Sequence, residues 1–375
     1  MEKYHNSKTN NLLTKSKSGH LPKIDEVLKA CGSHGWNMWR GWVNVLAKQG
    51  LLNRVFAPKA NWNNTKPLDD DGLWEYLEKP TGDIMLLAGF DWHSQPLHRS
   101  LEWQERWRQA KVEKIALLQE NYSAKVTQNN LQWQQQMSEA ISTASLCIDR
   151  LICHHEPDVQ FLKENYQIDL PSLFLCFAID PQYFRPIKPF ENKINRAAFR
   201  GNISAYFSGE TYQDRRKLIE LLRESGQVDI FEYTYNNADK NEFLTTEGVK
   251  KYADLLNQYR IQLNLPSISQ TLTNRPMEVM ACGGVLLQNS IIGEESKTFF
   301  EDQKHLIFYD ENNPQDLLNK IIELQKNPDL AYQMAKEGQK NCYENHTLFE
   351  RVISILNWLN YDIKKLLKPK LIFIN

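Results

Sequence analysis

The stretch TNRPMEVMACGG, Thr273 to Gly284, sets one arginine and one carboxylate a helical turn apart among apolar residues. It lies between YRIQLNLP and GVLLQNS, two runs of strand type. Strand, loop and short helix follow one another where open α/β sheets bind ligands, at strand carboxyl ends. A helix beginning at Asn274 would present free N–H groups and a positive dipole end, both suited to phosphate. Arg275 adds a planar, bidentate fork for a diphosphate. Glu278 shares that face and can accept two hydrogen bonds from a ribose diol. A surface Arg–Glu pair would have the same spacing, so this helix alone leaves the choice open.

A second strand end points the same way. FRGN, 199–202, closes AAFRGN with Arg200, Gly201 and Asn202, and Arg215 and Arg216 stand on the next helix. Tyr235, ending VDIFEYTY, and Thr271, in the loop before Asn274, complete the expected substrate-binding set. Gly283 and Gly284 would let the following strand pass close to the helix. The cluster CHHE, Cys153 to Glu156, invites a metal, but neighbours on a strand face opposite ways and no second ligand pair has zinc spacing. No metal site is expected, and Asp69, Asp70 and Asp71 read as a solvated polar loop.

These residues need a frame. Strand-like runs at 83–90, 112–119, 146–154 and 172–179 alternate with helix-period segments. After a break they resume at 197–202, 228–235, 259–266, 284–290 and 305–310. Such alternation predicts parallel sheets covered by helices on both faces. Asn313-Pro314 and Asn327-Pro328 mark two helix starts, each with an Asn cap and proline at the first position. The break, 179–196, carries Pro181, Pro186 and Pro189 and divides the chain in two. The predicted organisation is an acceptor-binding domain over 1–190, a donor-binding domain over 191–346, and an amphipathic helix in 347–375 packing back across them. Nine of the ten tryptophans precede residue 134; core packing is the plain reading, and stacking in a cleft the sharper one.

Composition sets bounds. A chain of 375 residues suits about two domains. A formal net charge of −1 supplies no global basic field for nucleic acid or anionic membrane. Six scattered cysteines, several in apolar runs, fit buried thiols in a reducing compartment. The polar start has no apolar signal core and no run approaches a membrane span, so a cytoplasmic protein is expected.

The segment from Arg196 to Leu356 resembles the nucleotide-sugar domain of GT-B glycosyltransferases, particularly the CgeB-like group. Phe199, Gly201 and Arg215 resemble that pattern's strand end and following arginine, and Arg275, Glu278, Cys282 and Gly283 its Arg-x-x-Glu and small-Cys-Gly turn. AIDPQYFRP, 178–186, is similar to its interdomain join. Many retaining members carry another glutamate eight residues before the ribose-binding one; here that position is Gln270. The resemblance implies a GT-B fold, two Rossmann-like domains facing each other across a cleft. It implies a metal-independent glycosyltransferase without cofactor, taking a nucleoside-diphosphate sugar as donor and a carbohydrate or other hydroxyl-bearing acceptor. A non-catalytic sugar- or nucleotide-binding protein of the same fold is the alternative, and an epimerase a weaker one. A transferase of inverting type needs an acceptor base from the first half. Asp91 and His93 follow the strand DIMLLAGF and, if extended, would project to one side; His34, between glycines in GSHGW, is the rival.

Overall fold

The computed structural model describes residues 20–28, 37–56, 72–118, 122–123, 139–203, 211–233, 246–266, 272–291 and 293–366. Its first half runs β1 (Ile24–Val27), α1 (Asn37–Lys48), β2 (Leu52–Phe56), α2 (Leu73–Tyr76), β3 (Ile84–Ala88), α3 (Phe90–Arg99), α4 (Leu101–Gln109), β4 (Glu113–Leu118), β5 (Arg150–Cys153), α5 (Glu156–Tyr166) and β6 (Ser172–Phe174). The second half runs β7 (Ile194–Asn202), α6 (Thr211–Glu224), β8 (Val228–Tyr233), α7 (Thr246–Gln258), β9 (Tyr259–Asn264), α8 (Arg275–Ala281), β10 (Val285–Gln288), α9 (Glu294–Lys297), β11 (Ile307–Phe308), α10 (Pro314–Lys326) and α11 (Pro328–Asn345). Helix α12 (Leu348–Trp358) follows.

The strands form two sheets, of order β2-β1-β3-β4-β5-β6 and β11-β10-β9-β7-β8. Every pairing is parallel. Alternate residues of a sheet buried on both faces must enter opposite cores. Accordingly Met85, Leu87, Ala116 and Leu118 join one cluster, and Ile84, Leu86, Ile115 and Leu117 the other.

Two strands escape the pattern of apolar runs. β1 reads IDEV and β2 reads LNRVF, yet β1 lies inside the first sheet. Asp25 is tolerated there because the Tyr76 hydroxyl donates to its Oδ2 at 2.6 Å and Asn53 Nδ2 donates to its Oδ1 at 2.7 Å. Burial pushes the Asp25 carboxyl up and raises that of Glu26 well above its ordinary value. Two expected strands are shorter than their apolar runs. Ser145–Cys147 is a 3-10 turn ahead of β5, and β6 ends at Phe174. Leu175 to Ala178 stay buried outside any strand, and Ile179 forms an isolated parallel bridge with Thr347.

The proline-bearing crossover is fastened to the second half. Asn257 Nδ2 donates to Arg185 O at 3.0 Å, and Ile187 N donates to Asn257 Oδ1 at 3.0 Å. Asn313 and Asn327 do precede their prolines, but neither side chain caps its helix. Asn327 Nδ2 instead turns back to Glu323 O at 2.8 Å. Trp42, Trp103 and Trp107 are core residues. Among the described residues no helix is long and apolar enough to cross a membrane.

Helix α12 belongs to the first half's core although it follows both sheets. Leu348, Val352, Ile355 and Leu356 pack with Trp42 and Leu46 of α1. Arg351, buried among them, donates to Cys176 O at 2.8 Å, Phe177 O at 3.0 Å and Asn345 O at 2.8 Å. Its charge is thus spread over carbonyls of the crossover, which ties the helix to both halves. Leu356→Ala is expected to cost about 2–5 kcal/mol, the range for emptying a fully buried leucine site. The check is a lower denaturant midpoint at unchanged slope. A loss under about 1 kcal/mol would show that α12 does not belong to that core.

Candidate functional site

The second sheet has a topological switch point. The chain leaves β7 for β8 on one side, then returns to β9 on the other. A crevice outside the carboxyl ends of β7 and β9 is where such sheets hold ligands. Arg200, Gly201 and Asn202 end β7, and the loop after β9 leads to α8. The two stretches singled out in the sequence therefore flank one crevice.

Phe199 organises one arm of it. The ring is buried, and a Cβ on Gly201 would stand 2.5 Å from its tip, which explains the glycine. The Arg275 guanidinium lies 5.4 Å from the ring centre and that of Arg215 6.0 Å. Their polar contacts differ. Arg215 is buried and donates to Pro266 O at 2.6 Å and Leu265 O at 3.4 Å. Those contacts fix the backbone leaving β9, so its hydrogen bonds serve the wall of the crevice. Arg275 is partly buried, with a 3.4 Å contact from Nη1 to Leu263 O.

Tyr252, on α7, organises the other arm. Its hydroxyl donates to Glu278 Oε2 at 3.0 Å, and the Arg200 guanidinium lies 5.8 Å from its ring centre. Burial pushes the Glu278 carboxyl up to about 7, opposed by Arg275 and by the Tyr252 hydrogen bond. The Tyr252 hydroxyl is itself raised by burial and stays protonated as a donor. Nothing in the spacing between Tyr252 and Glu278 announces this pair; only the packing of α7 on α8 makes it.

Helix α8 is held from its far end. Lys193 Nζ donates to Cys282 O at 2.8 Å, and the Tyr343 hydroxyl to Ala281 O at 3.2 Å. Burial lowers the Lys193 ammonium to about 8. A cation at a helix carboxyl end complements the dipole there. Gly283, with φ 68°, and Gly284 sit at this same end, against Gln339, Pro186 and Val279. They serve packing on β10 and lie away from the crevice. At the neighbouring strand ends Asn264 Nδ2 donates to Gln288 Oε1 at 2.9 Å, and the Tyr309 hydroxyl to Asn264 O at 2.9 Å.

The remaining candidates divide plainly. Asn274 precedes α8 as its N-cap residue, without a side-chain cap bond. Asn202 is described only in its backbone, and Tyr235, Thr271, Gln270, His34 and Asp69 to Asp71 lie outside the described residues. Asp91 and His93 stand in the opening turns of α3, so the backbone there is helical, not extended as expected. Residues two apart on a helix do not share a side. In CHHE, His154 packs on Phe177 with its Nδ1 2.6 Å from Leu175 O, and burial lowers it to about 4. That is a core histidine.

Residues 212–357 match a protein family described as glycosyl transferase-like. Sucrose-phosphate synthase from Thermosynechococcus elongatus is similar in structure, with TM-score 0.57 and 12% identity over 90% of this chain and 98% of that one. A glycosyltransferase from Rickettsia africae ESF-5 gives TM-score 0.55 and 15% identity over 91% and 98%. An alpha-glucosyltransferase, solved with UDP-glucose and DNA containing an abasic site, gives 0.58 and 12% over 90% and 100%. No curated protein sequence matches the chain. The fold is GT-B, two parallel-sheet α/β domains. The family match falls on the second of them and on α12.

Because Tyr252 donates to Glu278, its removal should raise that carboxyl further. Tyr252→Phe is expected to move the Glu278 titration upward from about 7, read by carboxyl carbon NMR. An unmoved midpoint would show that the hydrogen bond is absent in solution.

Proposed function

We propose that the chain is a glycosyltransferase whose second domain binds a nucleoside-diphosphate sugar at the β7–β9 crevice. The observation that carries this reading is the convergence of Arg200, Arg275 and Glu278 on that switch point, in a GT-B fold. Glu278 accepts from the ribose diol with its remaining lone pairs while Tyr252 steadies Oε2. Arg275, Arg200 and the start of α8 face the diphosphate. As the glycosidic bond breaks, negative charge grows on that diphosphate, and fixed cations stabilise it more than they stabilise the bound donor. Arg215 contributes through the loop it holds. UDP-sugars are the first donors to test, since structures similar to this chain contain UDP or UDP-glucose. The acceptor's proton is assigned to a base of the first half, His93 or His34.

Calorimetry with UDP, and turnover of UDP-glucose with and without added acceptor sugars, test the reading. Glu278→Ala should weaken UDP binding by about 1.5–3 kcal/mol, the range for a hydrogen bond to a charged group. Arg275→Lys keeps the charge but loses the fork, so turnover should fall more than donor binding. Wild-type affinity in the first variant removes the ribose assignment. Binding with neither transfer nor donor hydrolysis in the wild type leaves a sugar-nucleotide binding protein.

Arginines and a helix dipole can take the part of a divalent ion toward a diphosphate. EDTA is therefore expected to leave turnover intact. Loss of activity restored by magnesium or manganese would overturn the metal-independent mechanism.

A further inference from the structure

A carboxylate from the first domain caps a helix of the second. Glu156 opens α5, directly after β5 and the two histidines. Its Oε1 accepts from Glu295 N at 2.9 Å. Its Oε2 accepts from Ser296 N at 2.8 Å and from Ser296 Oγ at 2.9 Å. These amides belong to the first turn of α9, whose own N-cap residue, Gly293, has no side chain to offer. Gly293 has φ 117°, and a Cβ there would stand 2.3 Å from Glu156 Oε2. The bare backbone is what lets the carboxylate in.

The partners are 139 and 140 residues apart in sequence. Each follows the carboxyl end of a strand, β5 in one sheet and β10 in the other. Ser296 is only 1% exposed, so the contact is enclosed. Beside it Phe174 of β6 stacks on Phe299, with ring centres 6.1 Å apart and planes 12° from parallel. Glu294 and Glu295 crowd the same turn, and burial, with the charge of Glu156 added, raises the Glu295 carboxyl. Like charges there would drive the two sides apart if the amide and hydroxyl donors did not hold the carboxylate.

We propose that Glu156 is a reversible clasp between the domains. The crossover at 175–193 and the return into α12 join them covalently, and the clasp is a third tie that can break and re-form. While it is made, the carboxyl-end faces of the two sheets keep the disposition seen here. When it breaks, the domains turn apart about the crossover.

The test uses the full chain without nucleotide. Glu156→Gln keeps the size of the side chain but sets an amide NH2 group among N–H donors, and Ser296→Ala removes one donor from the other side. Circular dichroism establishes that each variant is folded. Small-angle scattering should then show a larger radius of gyration for Glu156→Gln than for wild type, with a smaller shift for Ser296→Ala. Amide exchange across 293–299 should quicken by at least about tenfold, the low end for losing a hydrogen bond to a charged group. Scattering and exchange unchanged in both variants would overturn the clasp. So would loss of fold in Glu156→Gln combined with wild-type scattering in Ser296→Ala, because Glu156 would then be a folding residue only. Failure of UDP binding in the wild type would remove the proposed function and leave this test untouched.

Discussion

Helix α8 is too short to be stable by itself. A free helix of Arg275–Ala281 would not persist in water, where nucleation is costly and even 12–15 residues are marginal. Its position is set from outside, by Lys193 and Tyr343 on its last carbonyls and by Met277, Val279 and Met280 in the core. Everything polar at the crevice inherits its position from that grip. Arg275 keeps its place beside Phe199, and Glu278 meets Tyr252, because the buried end of the helix is immobilised. The grip also reaches beyond one domain, since Tyr343 touches the carbonyl of Phe184 in the crossover as well.

How much of this was legible in the sequence depended on whether a residue's neighbours in space were also its neighbours in the chain. The parallel architecture was legible, because nine apolar runs alternate with helical stretches, and those inside the sheets, such as β3 and β4, bury both faces. β1 was not, because the burial of its Asp25 is secured by hydrogen bonds from Tyr76 and Asn53, partners that no local pattern marks. β2 was not, because it is an edge strand with Arg54 and Val55 exposed. The Arg275–Glu278 pair was legible as a local motif. Tyr252, Lys193 and Glu156 were not, since each acts through contacts across elements. The place of Arg215 on a helix after a glycine turn suggests a phosphate ligand, but nothing local marks its hydrogen bonds to Pro266 O and Leu265 O, 51 and 50 residues on. Asp91 and His93 were placed at the right strand end but on an extended backbone. The helix there begins at Phe90, directly after Gly89 in the left-handed region.

The site also shows how burial and charge are balanced. Glu278 lies close to neutrality at about 7 because desolvation is opposed by one arginine and one hydroxyl. A ligand diol that donates to the ionised form would draw the carboxylate fully into charge, so nucleotide binding and proton release are coupled in this reading. Arg351 solves the opposite problem. A cation that can hardly lose its proton is placed where backbone carbonyls, already needing donors, absorb it.

The packing of α12 into the first domain fixes an order of events during synthesis. The core on one face of the second sheet is drawn from residues 197–335, and all of it is available once α11 has been made. The first domain, translated earlier, lacks Leu348, Val352, Ile355 and Leu356 until still later residues emerge. The first domain, although made first, therefore completes this core only after the second has been translated. For the time it takes to translate the whole second domain, one face of the nascent first sheet has α1 on it but not α12. That face, lined by Ile84, Leu86, Ile115 and Leu117, is closed only when α12 arrives.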